Sequence, residues 1–333
     1  MNSRKVGFEG AEGAEGAVIS WMRPSSLLFI YSVIPMVAVF LTLDWFFFDL
    51  KLSRSLPADP HDMQWFNMFF MLPHIFASLF TFFDAEYVAY YGVQLARSVV
   101  VILAIIISVF TLRAFAPFML IISIYTVYHL VSQQTGIAAM LARNATPMYK
   151  IWKWVTFFAL TIVYLAAIIG DQRLKVFLTG ILPWFYVLYS LLAYFTAKKV
   201  LDKIGFYYTC ANSVMIIFSC VLYAYNFSFF MIFIPRFVHD VTAFFFYISH
   251  NANRNSAGSK NMISRLGVRL GLPEYFYTPA VGILCTVIVT LFFKKYMIVL
   301  LSFMALFHYY WEGRMWKRGT PHRRYIHIGM PRV

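Results

Sequence analysis

Charge is what this chain has least of. Only 13% of its 333 residues are Asp, Glu, Lys or Arg, against about 25% in a soluble globular domain. With 61% hydrophobic residues, 20% aromatic residues and a mean hydropathy of +0.69, that scarcity excludes a water-soluble fold. Cysteine is equally sparse. Cys210, Cys220 and Cys285 all lie in apolar runs, which excludes a disulfide framework and a cysteine-rich metal motif. There is no Cys-X-X-Cys-His haem attachment and no convincing internal repeat. The apolar runs are long and continuous instead of alternating over about ten residues, so a transmembrane β-barrel is excluded too. What remains is an all-α, polytopic membrane bundle.

The runs place about ten transmembrane helices: Ser25–Phe48, Trp65–Phe83, Ser98–Leu112, Ala114–Gln134, Trp154–Gly170, Val176–Ala197, Phe206–Tyr225, Phe227–His250, Tyr275–Phe293 and Tyr296–Glu312. Spanning takes about 20 apolar residues, or about 17 at the short end, so Ser98–Leu112 is the weakest and reads equally as half of a re-entrant hairpin. Residues 1–24, with Glu-Gly-Ala repeated between Glu9 and Ala17, are expected to be disordered. Residues 25–312 form the membrane domain, and 313–333 a basic, aromatic tail suited to the anionic inner leaflet. The net charge of +14 belongs to this topology and not to nucleic acid. With the N-terminus inside, most of the 28 Lys and Arg fall in inner segments, which puts both termini in the cytoplasm of a bacterial-type inner membrane.

Ionisable groups inside a bilayer are costly and mark function by default. Five histidines lie within spans: His74, His129, His239, His250 and His308. All fall on inward-running helices, and they are the candidate metal ligands. Residues four apart share a helix face, and this spacing joins His74 to Ser78, His129 to Gln133, His250 to Arg254 and His308 to Glu312. A ligating imidazole needs a polar partner on its other nitrogen, so Glu312, Asp84, Gln133 and Gln134 are the candidate catalytic or supporting groups. His239 and His250 are eleven apart, roughly 16 Å by helical rise, and cannot share one ion. His250 groups with His129 and His308. His239 is either a ligand nearer His74 or a partner of Asp240, and Arg236 and Asp240 are spaced to pair. His61, in a loop with Asp59 and Asp62, and the tail's His322 and His327 are expected to be solvated non-ligands. Imidazole with a few oxygens suits iron, zinc or copper. Non-haem iron is favoured, and haem b between two histidines is the rival.

The dense HXXXH and HXXHH boxes of membrane desaturases are absent. The order of motifs instead resembles that of the Brp/Blh-type β-carotene dioxygenases. The likeness rests on Leu72-Pro73-His74, His129 with Gln134, the aromatic run Phe244-Phe245-Phe246-Tyr247 leading to His250 and Arg254, and His308 with Glu312. It runs from Trp65 to Glu312 through scattered short motifs. Arg254 stands where that family has a further ligand histidine, and an amide stands where it has an aspartate. The resemblance implies non-haem iron held by His74, His129 and His250, with Glu312 or Asp84 as a fourth ligand or support. It also implies O2-dependent cleavage of a long isoprenoid. From residues and resemblance together, the expectation is a membrane oxygenase acting on an apolar lipid or isoprenoid. The alternatives are a transporter or channel, for which Pro235 would break the eighth helix, and a haem-binding electron-transfer subunit.

Overall fold

A computed structural model describes residues 22–142, 146–200, 202–258, 261–293 and 296–328; the N-terminal repeat lies outside them. Among the described residues there is no strand, only a single bridge between Met22 and Ile328. The long helices are α1 (Pro24–Phe48), α2 (Gln64–Phe83), α3 (Ala85–Thr111), α4 (Phe115–Leu141), α5 (Pro147–Ile169), α6 (Gln172–Lys198), α7 (Lys203–Ala224), α8 (Ser228–Ser256), α9 (Glu274–Phe292) and α10 (Met297–Met315). The first nine are long and apolar enough to cross a membrane. The 19-residue α10 falls outside that set, since its second half, from His308 to Arg314, is polar. The short run at Ser98–Leu112 is the apolar end of α3, a full helix of 27 residues, about 40 Å at 1.5 Å per residue. Its first half, with Glu86, Gln94 and Arg97, is too polar to stand out as a membrane segment.

Local chemistry sets the ends. Asp84, Asp171 and Asp202 cap α3, α6 and α7, their carboxylates accepting from backbone N–H groups of the first turn at 2.8–3.0 Å, which satisfies donors that a helix start leaves bare. Gly170 ends α5 at φ +68°, where a residue without Cβ carries no penalty. The buried Asp44, near the end of α1, accepts from the backbone N–H groups of Leu52 and Ser53 beyond it, at 3.1 and 2.7 Å.

The bundle is built around α8. Of its most apolar 18-residue window 72% is buried, against 22–56% in the other eight spanning helices. It packs against α2, α4, α7 and α9. It passes through Pro235 as one helix of 29 residues, so that proline does not divide it. The outer helices turn large apolar side chains such as Phe46, Phe47, Trp184 and Leu291 outward, as a lipid-facing surface requires. Two contacts position α2. A π-helical segment at Asn67–Met71 runs into Pro73, which has no N–H to continue the ladder. Gly282 of α9 lies against Pro73 so closely that a Cβ there would sit 2.7 Å from the Pro73 carbonyl oxygen.

The tail does not simply lie along a surface. Thr320 caps a short helix at Pro321–Arg324. Beyond it, the backbone carbonyl of Tyr325 accepts from Asn253 Nδ2 at 2.8 Å and that of His327 from Met22 N at 2.9 Å. The tail therefore closes one end of the bundle between the start of α1 and the end of α8.

Because α9 meets α2 through a missing side chain, Gly282→Leu is expected to destabilise the protein by about 1–3 kcal/mol through overpacking. A lowered melting temperature in detergent would show it; an unchanged one would mean the interface is looser than described.

Candidate metal centre

Four histidines meet in the middle of the bundle, one from each of four helices: His74 from α2, His129 from α4, His239 from α8 and His308 from α10. Their rings form a closed cycle. Centroids are separated by 5.3 Å (His74–His239), 4.8 Å (His239–His129), 5.0 Å (His129–His308) and 4.9 Å (His308–His74). Glu312, one turn beyond His308, places Oε2 at 2.8 Å from His129 Nε2 and 3.8 Å from His308 Nε2. His129, His239, His308 and Glu312 bring their ligand atoms within 4.8 Å of one another, and all four residues are buried. This group can hold a metal ion.

The outer nitrogens explain how the rings are held. His239 Nδ1 donates to Gln133 Oε1 at 2.7 Å, and the same oxygen accepts from Gln134 Nε2 at 3.1 Å. Ser78 donates its hydroxyl to the Ile75 carbonyl at 2.7 Å, so toward His308 Nδ1, 2.8 Å away, it accepts. His74 Nδ1 faces only acceptors, Phe70 O at 3.2 Å and Asp240 Oδ1 at 3.3 Å. In each case the proton belongs on Nδ1, which leaves a lone pair on Nε2. The Nε2 atoms of His74, His239 and His308 are buried without a hydrogen-bond partner, and His129 Nε2 and Glu312 Oε2 are buried against each other at 2.8 Å. Tyr247 donates its hydroxyl to the other Glu312 oxygen, Oε1. Lone pairs thus converge where a protein normally pairs a donor with an acceptor. A cation held by His129, His239, His308 and Glu312 would satisfy these groups together.

The ring spacing is that of imidazoles set around a common centre, and the residues whose ligand atoms all lie within 4.8 Å of one another are His129, His239, His308 and Glu312. A metal–nitrogen bond of about 2.1 Å places an imidazole centroid about 3.2 Å from the metal, so rings around a single centre stand about 4.5 Å apart at right angles and about 5.2 Å apart in a tetrahedron. The observed 4.8–5.3 Å falls close to this range. His74, His239 and Asp240 form a second overlapping group. Asp240 also faces Arg236, Nε to Oδ1 3.7 Å, so its charge already has a cation. It serves to orient His74, as carboxylates beside ligating histidines do.

The other sequence-predicted residues lie elsewhere. His250 is not brought into the cycle; its Nε2 bonds the Tyr87 hydroxyl at 2.8 Å and its Nδ1 lies 3.0 Å from Asn251 Oδ1. The eleven-residue separation from His239 does keep the two apart, but His239 is the one at the centre. Asp84 caps α3 and holds Arg254 with a bond of 3.0 Å from Nε. Gln134 accepts from the hydroxyls of Tyr31 and Tyr208, at 2.9 and 2.5 Å. It supports the centre only through Gln133. His322, expected in water, is fully buried. It is stacked on Tyr87 at 3.8 Å and lies 5.3 Å from the His250 ring, with Nε2 3.1 Å from Thr81 Oγ1. Burial, with His250 and Arg254 beside it, holds its imidazole well below the ordinary histidine pKa, so it is neutral at pH 7. His61 does sit in its loop with Asp59, 2.5 Å from Nδ1 to Oδ1.

The i,i+4 spacing points to the right residue types but the wrong partners. Ser78 supports His308 and not His74, and Gln133 supports His239 and not His129. Glu312 stands closer to His129 than to His308, and Arg254 reaches Asp84. Each polar side chain works across a helix interface, which no spacing along one helix reveals. Tyr247 and Tyr309, the latter stacked on His129 at 4.5 Å, carry no sequence signal beyond being aromatic.

Comparison with protein families, with curated proteins and with solved structures finds no match. The centre is therefore read from its own chemistry.

Tyr247→Phe removes the hydroxyl that Glu312 uses while keeping the ring. A loss of about 1–3 kcal/mol is expected for a buried bond to a charged group, read as a lower melting temperature in detergent. An unchanged melting temperature would remove Tyr247 from the centre's support.

Proposed function

We propose that this protein is an integral membrane metalloenzyme, an oxygenase that uses non-haem iron bound by His129, His239, His308 and Glu312, with His74 packed beside them. The observation that carries the reading is the closed cycle of four imidazoles whose Nε2 atoms, with Glu312 Oε2, are buried together. Three imidazoles and a carboxylate without a thiolate suit iron, zinc or copper and would leave room for O2 or substrate. Iron held this way supplies O2 activation, the chemistry needed to oxidise an unactivated hydrocarbon. Haem fits the cycle poorly. Any two histidines flanking a porphyrin would leave the other two rings in the plane that the porphyrin needs. A transport path is also less well supported, since α8 is unbroken.

An apolar chain is the natural substrate for a centre set among membrane helices. A cavity of about 550 Å³ opens onto the site, with His129, Gln133 and Glu312 in its wall beside Phe246, Ile137 and Met140; such a volume suits a small-molecule ligand. The resemblance to carotenoid-cleaving dioxygenases agrees with this class of chemistry. The proposed ligand set differs from the one it implies, with His239 and His308 in it and His250 outside it.

Purified protein is expected to carry one iron per chain by elemental analysis, with no Soret band. His239→Ala should lose the metal while His250→Ala retains it; the reverse would reinstate the set implied by the resemblance. Ser78→Ala, which frees His308 Nδ1, should weaken metal affinity about 10–100-fold. Absence of any bound metal after reconstitution with iron would defeat the proposal.

A further inference from the structure

The same cavity differs at its two ends. Its inner wall is His129, Gln133 and Glu312; its mouth carries Lys153, Arg314, Lys317 and Arg323. These cations come from three places in the chain, α5, the end of α10 and the tail helix, so the fold and not the local sequence assembles them. Glu312 is the one carboxylate in the lining, and it belongs to the histidine cycle. Among the described residues none of the four cations pairs with a carboxylate. Lys153 lies over the Tyr128 ring at 4.7 Å, Arg314 donates to Gln94 Oε1 at 2.7 Å, and Arg323 donates to the Ile326 carbonyl at 2.8 Å. Between mouth and centre the lining is largely apolar and aromatic, with Tyr125, Tyr309 and Trp316.

A second, larger cavity of about 1020 Å³ lies between α1 and α8, lined by Phe29, Phe40, Phe230, Phe233, Phe237 and Phe245 among others. It has no charged lining and touches none of the metal group. A wholly apolar molecule would be at home there, but on the far side of α8 from the histidines. The cavity that does reach them ends in four cations.

We infer that the substrate is an anionic amphiphile, a hydrocarbon chain ending in a phosphate or carboxylate. The headgroup sits at the mouth against Lys153, Arg314, Lys317 and Arg323, and the chain runs inward to the face of His129 and Glu312. Arg and Lys are the side chains that hold such groups, and partly buried cations attract them more strongly than solvated ones. The inference rests on the proposed oxygenase centre for the word substrate, but the binding preference stands on the cavity alone.

The test uses one chain length with different ends. Oleyl phosphate, oleate and oleyl alcohol are titrated into the iron-reconstituted full chain in neutral detergent, with tryptophan fluorescence as the readout because Trp316 lines the cavity. At least one acid is expected to bind ten-fold or more tightly than the alcohol, and which one does so separates the phosphate source from the carboxylate source. The double variant Lys153→Gln/Arg323→Gln should lose about ten-fold for that acid and leave the alcohol unchanged, while Lys153→Arg keeps the preference. Alcohol binding as tight as both acids, or a double variant that weakens acid and alcohol equally while retaining its iron, overturns the inference. An acid preference in protein that binds no iron keeps the cavity's ligand class and removes only the oxygenase reading.

Discussion

The centre of this protein depends on one electrostatic constraint: buried acceptors that face one another repel unless a proton or a cation lies between them. Four imidazoles and a carboxylate converge among α2, α4, α8 and α10; the Nε2 atoms of His74, His239 and His308 have no hydrogen-bond partner, and that of His129 faces Glu312 at 2.8 Å. An unsatisfied buried polar group costs about 1–3 kcal/mol, more where charge is involved. Coordination of a metal would turn that cost into cross-links between helices. Helix association inside a bilayer lacks the hydrophobic drive that works in water, so such cross-links would add what packing alone supplies weakly.

The surrounding structure serves the orientation of those five side chains. Pro73 and the π-helical segment before it set the phase of α2, and Gly282 lets α9 press against it just ahead of His74. Ser78, Gln133 and Asp240 each take the outer nitrogen of a histidine, which fixes its tautomer as well as its tilt. Asp240 does so while facing Arg236, so its charge holds His74 without competing for the ion. At the end of the bundle Asp84, Arg254, Tyr87, His250 and His322 form a separate knot of ion pair and stacked rings. That knot ties the tail to α3 and α8, and it absorbs the polar residues that look most like a second half of the site.

What could be read from sequence follows from what kind of constraint each feature obeys. Hydropathy is local, so a membrane bundle of about ten helices was legible, and the misjudged Ser98–Leu112 failed only where a long helix begins with polar residues. The cost of intramembrane charge is local too, and it singled out His74, His129, His239, His308 and Glu312. Selection among candidates is not local. His250 and His239 share a helix and differ only in which neighbour each meets, Tyr87 or the other three histidines. The tail histidine His322 was misplaced for the same reason: nothing in Pro321–Arg324 indicates that a buried slot beside Tyr87 receives it.

Placement of the two cavities follows from the same geometry. α8 presents Phe233, Phe237, Val241 and Phe245 along one stripe to the apolar groove beside α1, and His239 and Phe246 on the side that meets α4 and α10. α8 thus has two distinct faces, one toward the apolar groove and one toward the histidine cluster. Because α10 carries His308 and Glu312 in its last turns, with Arg314 and Lys317 close after them, the distance from histidine cluster to basic mouth is set by a single helix end. A ligand anchored at that mouth by charge would meet the centre with a fixed length of its chain, so the site of oxidation along the hydrocarbon would be chosen by helix geometry and not by recognition of the carbon that reacts.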